Sequence, residues 1–78
     1  MMTWTKISEQ LPPDLEDVWI FTYTGMLLKA CFDSFTELFL IEMYPDEYEM
    51  IEVCAWMPRE NDIEPSLEGL CLIPATNV

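Results

Sequence analysis

A single glycine, Gly25, separates two strand-like segments and constrains the fold of this chain more than any other feature. Residues 17–24 are rich in β-branched and aromatic side chains, and residues 26–33 alternate apolar with more polar positions, as β-strands do. Glycine readily adopts the positive φ that a tight connection through Thr24 and Gly25 requires. The pattern therefore predicts an antiparallel hairpin with strands at 17–24 and 26–33.

Two further segments are expected to extend this sheet. Residues 35–42 are apolar with an ambiguous period, so we expect a strand there, with a helical turn as the alternative. The run from Tyr48 to Met57 is also strand-like, and Pro58 ends it because proline cannot donate to a strand ladder. The expected fold is mainly β, with α+β as the alternative. We expect a small antiparallel sheet of three to four strands with ordered terminal segments.

The length of 78 residues predicts one domain, residues 1–78, with a thin core. Residues 1–16 are expected to form an extended lead-in, because Pro12 and Pro13 favour extended backbone. Residues 59–78 are expected to form a tail that packs back on the sheet. Two glycines cannot supply a glycine-rich phosphate loop, which excludes the common nucleotide-binding enzymes.

Both faces of the predicted strand 17–24 are apolar, with Val18 and Ile20 on one side. The other side carries the aromatic residues Trp19, Phe21 and Tyr23. A sheet of one layer cannot bury both faces by itself. The terminal segments are the expected cover, and a homodimer that pairs two such faces is the alternative.

The chain lacks the residue types that most catalytic and metal sites need. It has no histidine, so a cysteine nucleophile has no imidazole base, and we expect no enzyme. The cysteines at 31, 54 and 71 are odd in number and lack paired CxxC spacing, which indicates free thiols. Residues 46–49 lack the glycine turn of a calcium loop. We therefore expect no cofactor and no metal.

The apolar runs are also too short to cross a membrane. Charged residues interrupt each run long before the roughly 20 residues that a bilayer span needs. The N-terminal residues show no basic region followed by an apolar stretch, so no secretory signal is visible. We expect a cytoplasmic protein without membrane contact.

Charge is the strongest compositional signal, with 15 Asp and Glu against three Lys and Arg and a net charge of −12. Five carboxylates fall within residues 42–52, where no basic residue occurs. Residues two apart on a strand lie about 6.5–7 Å apart on one face, close to the spacing of successive phosphates in a nucleic acid. Glu47 and Glu49 have this separation. Such a surface repels nucleic acid and attracts basic proteins.

The candidate partner-binding residues combine these carboxylates with two tyrosines, a residue type enriched at protein interfaces. From the acidic stretch they are Glu42, Tyr44, Asp46, Glu47, Tyr48, Glu49 and Glu52. From the lead-in and the first position of the strand after it they are Asp14, Glu16 and Asp17. The alternative is a solvated sheet edge that its charge keeps soluble and unpaired, with the tyrosines in ordinary sheet packing.

Positions spread over residues 4–58 follow a pattern of Trp, Leu-Pro, Val, Gly and a closing Trp-Met-Pro. They are Trp4, Leu11, Pro12, Val18, Gly25, Trp56, Met57 and Pro58. This pattern resembles a family of small phage and prophage domains classed as domain of unknown function five-five-one. Residues 59–62 replace the proline-rich stretch usual there, and residues 42–52 are unusually acidic. The resemblance implies a phage or mobile-element origin and transfers no catalytic residue.

By size and charge the chain is also similar in type to anti-CRISPR and anti-restriction inhibitors. The resulting hypothesis is an acidic phage or prophage inhibitor that acts in the host cytoplasm. Its expected partner is a basic host protein, such as a CRISPR effector or another nucleic-acid-handling defence complex, bound by electrostatic occupation or nucleic-acid mimicry. The alternative is a small adaptor or structural interaction domain of a mobile element, whose charge serves solubility only.

Overall fold

The computed structural model describes residues 4–42, 46–61, 63–67 and 70, and in these residues it is mainly β. The strands are β1 (Thr5–Lys6), β2 (Asp17–Thr22), β3 (Leu27–Asp33), β4 (Leu38–Ile41), β5 (Glu47–Glu49) and β6 (Val53–Pro58). They form one antiparallel sheet in the order β1-β6-β2-β3-β4-β5. A 3₁₀ turn, Met50–Glu52, connects β5 to β6. In the described part of the chain, no helix has the length and apolar character to span a bilayer.

The hairpin expected around Gly25 is present, since β2 and β3 pair in antiparallel register. The chain reverses over residues 23–26, so the connection is longer than the expected two residues. Gly25 has the positive φ that the sequence predicts, 93°. The fully buried Thr22 hydroxyl accepts a hydrogen bond from the amide of Met26 at 3.0 Å. The buried side chain of Thr22 therefore stabilises the reversal in addition to its backbone hydrogen bonds.

The expectation of three to four strands is an undercount. The run from Tyr48 to Met57 is not one strand, because the 3₁₀ turn divides it into β5 and β6. The lead-in adds the short strand β1, which pairs with β6 through Thr5 and Lys6. Residues 35–42 contain β4, so the strand expected there exists, but it begins only after a turn at 34–37.

The sheet is strongly curled, because the connection from β5 to β6 is too short for a flat sheet. These two strands lie four positions apart in the strand order, which is about 19 Å in a flat sheet. The chain from Glu49 to Val53 reaches at most about 14 Å. Twist and curl close this gap. As a result the 3₁₀ turn lies beside the β2–β3 reversal, where the amide of Tyr23 donates to the carbonyl oxygen of Glu52 at 3.1 Å.

The inner face of the curled sheet holds the main core. Its buried members are Val18, Ile20, Ala30, Phe32, Phe39, Ile41, Val53 and Trp56. The rings of Phe32 and Phe39 pack with their centroids 4.8 Å apart. The lead-in covers this face: Ile7 packs against the cluster, and the indole N–H of Trp56 donates to the carbonyl oxygen of Gln10 at 2.8 Å.

The outer face of β2 is covered in part by residues from both ends of the chain. Trp4 meets Phe21 edge-on, with ring centroids 6.4 Å apart. The indole N–H of Trp4 donates to the carbonyl oxygen of Ser66 at 2.9 Å. Leu70 is buried in the same cluster. Trp19 is only 4% exposed, so burying this aromatic residue does not require a second copy of the chain.

We predict that Phe39→Ala will lower the free energy of unfolding by about 3–5 kcal/mol, because it leaves a cavity among residues that cannot fully collapse. Phe39 is 0% exposed, whereas Phe35, four positions earlier, is 93% exposed. Phe35→Ala is therefore the control, with an expected change within about 0.5 kcal/mol. Urea unfolding followed by tryptophan fluorescence measures both, and equal losses would contradict the assignment of the core.

Candidate functional site

The predicted carboxylates do not form one continuous patch, because the fold uses several of them in its own structure. Arg59 lies just after β6 with its side chain 9% exposed. It contacts Glu42 at 2.6 Å and Asp17 at 3.4 Å. Since Glu42 follows β4 and Asp17 begins β2, Arg59 connects distant parts of the sheet. These two carboxylates are partly neutralised by this pairing.

Two other predicted carboxylates accept hydrogen bonds from backbone amides in turns. Oδ1 of Asp14 accepts from the amide of Ser34 at 2.8 Å, and this hydrogen bond lowers the pKa of the Asp14 carboxyl. Oε2 of Glu52 accepts from the amide of Glu49 at 3.0 Å, across the 3₁₀ turn. Both carboxylates therefore contribute to the local turn structure.

Glu47 and Glu49 are predicted residues that lie together on an exposed strand, although the side chain of Glu49 also accepts a hydrogen bond from the backbone of Glu52 in the 3₁₀ turn. Both are exposed on β5, the strand at one end of the sheet order, and they are two residues apart. They consequently point to the same face, about 6.5–7 Å apart. Asp46 and Glu16 are also exposed.

Tyr48 does not share the exposed face of Glu47 and Glu49. Tyr48 alternates with them along β5, is partly buried, and packs against the main core cluster. Its hydroxyl lies 3.8 Å from Sδ of Met26. Tyr48 therefore serves sheet packing, which was the alternative interpretation. Tyr44 lies outside the residues that the structure describes.

A shallow groove of about 350 Å³ lies between the turn before β4 and the 3₁₀ turn after β5. The residues that line it, called here the acidic groove, are Thr36, Glu37, Leu38, Glu49, Met50 and Ile51. Ile51 is 79% exposed, and Phe35, in the turn before β4, is 93% exposed. The groove thus combines carboxylates with solvent-exposed apolar surface.

The sequence did not identify Phe35 and Ile51 as surface residues, because both lay inside segments interpreted as strands. Asp33 and Ser34 are turn formers, and their preference could have extended the turn through Phe35. For Ile51 the available signal was weaker: Glu49 and Glu52 are three residues apart, a spacing that a helical turn can bridge.

The basic residues are not part of the acidic groove. Lys6 is on β1, which pairs with β6. Nζ of Lys29 lies 5.8 Å from the ring centroid of Trp19, and Arg59 contacts Asp17 and Glu42. None of the described residues that line the groove is basic. Its negative potential is consequently not offset by a cation in its lining.

Cys31 is a partly buried free thiol and Cys54 is buried, whereas Cys71 lies outside the described residues. Burial raises the pKa of the Cys31 thiol, and the nearby carboxylates of Asp17, Asp33 and Asp14 raise it further. A raised pKa reduces the reactive thiolate near neutral pH. Among the described residues, no group of three or more Cys, Asp or Glu is placed to hold a metal ion.

We predict that Cys31 in the folded protein will react with iodoacetamide more slowly near pH 8 than in the urea-unfolded chain. Its rate should also inflect at higher pH when folded, because burial and the neighbouring carboxylates disfavour the thiolate. Peptide mass mapping over time at several pH values follows the reaction. Identical pH profiles in the folded and unfolded protein would show that Cys31 does not experience this environment.

Arg59→Met should lower the free energy of unfolding by about 1–2 kcal/mol, because two partly exposed ion pairs are lost together. The loss should shrink in high salt, which screens these pairs. Lys6→Met is the matched control: it removes the same charge from an exposed residue on β1. Equal losses of stability in the two variants would show that the ion pairs of Arg59 do not stabilise the fold.

Comparison with known proteins adds no relative from which a role could be transferred. No protein-family model, no curated protein and no solved structure matches this chain. The candidate site is therefore defined by its own geometry and charge.

Proposed function

We propose that this protein is an acidic inhibitor of phage or prophage origin that docks on a basic host protein through the β4–β5 end of its sheet. The observation that carries the proposal is the charge asymmetry of the surface. Glu37, Glu47 and Glu49 are exposed together at that end, and none of the described residues lining the groove there is basic. The proposed target is a CRISPR effector or another nucleic-acid-handling defence complex in the host cytoplasm.

Solubility alone does not account for the apolar part of this surface. If the charge served solubility only, we would expect the apolar side chains beside it to be buried. Here Ile51 and Phe35 are almost fully exposed beside the carboxylates. Exposed apolar side chains rimmed by polar groups are a common arrangement at protein-binding sites. This arrangement supports docking.

The arrangement of the carboxylates favours electrostatic occupation over a close copy of a phosphate backbone. Glu47 and Glu49 share one face of β5, but Glu42 and Asp17 contact Arg59. Glu52 accepts a hydrogen bond from its own turn. A row of regularly spaced charges would need these side chains on one face. We therefore propose that the inhibitor blocks a basic surface and thereby excludes nucleic acid from it.

The adaptor alternative uses the same surface without displacing nucleic acid. Among the described residues no strand pairs with the outer edge of β5, and this supports the adaptor, since an edge strand can pair with an extended segment of another protein. An adaptor and an inhibitor would both bind a partner, so binding alone does not separate them. The two are separated by whether the partner releases its nucleic acid when this protein binds.

The first test is capture of the partner from host lysate, followed by affinity measurement with the purified captured protein. Glu47→Gln combined with Glu49→Gln should weaken binding at least tenfold at low salt, because close charge pairs across an interface couple strongly. Glu9→Gln combined with Glu64→Gln removes the same charge from exposed residues that do not line the groove, and it should weaken binding less than threefold. Equal weakening by both double variants would contradict docking at β5.

The second test titrates the wild-type protein into a preformed complex of the captured partner with its nucleic acid. Release of the nucleic acid, with a steep dependence on salt, is the result expected of an inhibitor. Full nucleic-acid occupancy at saturating protein would favour the adaptor. Urea unfolding of the β5 double variant provides the folding control. Glutamine at position 49 keeps a side-chain oxygen for the hydrogen bond within the 3₁₀ turn, so we expect a change in stability within about 0.5 kcal/mol.

A further inference from the structure

We propose that the acidic groove takes an extended segment of the partner protein in which an apolar side chain lies between two basic ones. The inference rests on the proposed function and specifies the chemistry that the same surface recognises. Three properties of the groove carry it: its size and apolar lining, the fixed turns on its two sides, and the sign of its charge.

The size and lining of the groove suit a side chain rather than a folded element. Its volume of about 350 Å³ is near the lower end of the roughly 300–1,000 Å³ found for ligand pockets. Leu38, Met50 and Ile51 supply apolar lining. The side chain of Ile51 is 79% exposed in the free protein, so it becomes buried only when a partner packs against it. An apolar side chain of the partner is the group that gains from this contact.

The turn before β4 is held in place by hydrogen bonds along its length. Oδ1 of Asp33 accepts from the amide of Phe35 at 2.9 Å, and the carbonyl oxygen of Asp33 accepts from the amide of Glu37 at 2.7 Å. Asp14 binds the amide of Ser34 from the lead-in. The exposed ring of Phe35 is therefore presented on a turn that is already ordered, which reduces the entropy lost on binding.

Charge determines which partner can occupy the groove. Glu37 and Glu49 lie in its lining and Glu47 lies beside it on β5. A second copy of this chain would bring like charges together, so self-association through this surface is disfavoured. Lys and Arg side chains of a partner can reach these carboxylates on either side of the apolar side chain that packs on Ile51. In an extended segment alternate side chains share one face, so basic, apolar and basic residues at every second position match the groove.

The test uses two synthetic peptides with blocked ends as probes of the complete chain, labelled with ¹⁵N. The first, Ser-Arg-Ser-Leu-Ser-Arg-Ser, places arginine, leucine and arginine on one face. The second replaces the leucine with serine and keeps the charge. We expect the leucine peptide to shift the amide signals of residues 36–38 and 49–51, and to bind at least fivefold more tightly than the serine peptide.

Ile51→Ser should reduce the affinity for the leucine peptide at least threefold and leave the serine peptide unaffected. Ile63→Ser is the matched control, because Ile63 is 76% exposed and is not part of the groove lining; it should change neither affinity. Proton and nitrogen spectra of each variant without peptide verify that it is folded.

Equal binding of the two peptides, or no effect of Ile51→Ser, would overturn the apolar anchor. That result would leave charge-based docking standing, because the Glu47 and Glu49 variant tests it separately on the captured partner. Shifts spread evenly over exposed carboxylates would overturn the groove as the binding site. Concentration-dependent shifts at residues 49–51 without peptide would assign the groove to a second copy and would likewise overturn the proposal.

Discussion

The short passage from β5 to β6 is the constraint on which the rest of the structure depends. A 3₁₀ turn of only three residues connects β5 to β6, although three other strands lie between them in the sheet order. The sheet must therefore curl, and its inner face becomes a closed core in which Phe39 of β4 and Val53 of β6 belong to one cluster. The pairing of Leu38 with Glu49 places the turn before β4 beside the 3₁₀ turn, and the acidic groove lies between them. The 3₁₀ turn therefore takes part both in closing the core and in lining the candidate site.

Local patterns in the sequence were sufficient to predict the central hairpin. They were insufficient to predict the curling of the sheet that brings β5 close to β6. The β-branched and aromatic residues before Gly25, the alternation after it and the stop at Pro58 are local signals, and β2, β3 and the end of β6 follow them. Residues 50–52 have only a weak signal, the three-residue spacing of Glu49 and Glu52, and Ile51 favours a strand by its own propensity. Their turn is imposed by tertiary geometry. The strand β1 has only two residues, too few for any periodicity to be visible.

The candidate site was predictable only where strand alternation applies. Glu47 and Glu49 share a face and Tyr48 points to the other, and this follows from a period of two. The ion pairs of Glu42 and Asp17 could not be predicted from the sequence, because their partner Arg59 follows β6 and is distant from both in sequence. Long-range ion pairs are decided by the path of the chain. A group of carboxylates that is close in sequence can therefore be divided among separate structural roles, as happens here.

The strands at the two ends of the sheet order are short, which bears on how copies of the chain meet at high concentration. Strand addition from one end to the other would be a head-to-tail contact, and such contacts produce open filaments because the symmetry does not close. However, β1 is two residues long and β5 is three. A ladder of so few hydrogen bonds is too short to hold a growing fibre together, so the brevity of these edge strands limits polymerisation.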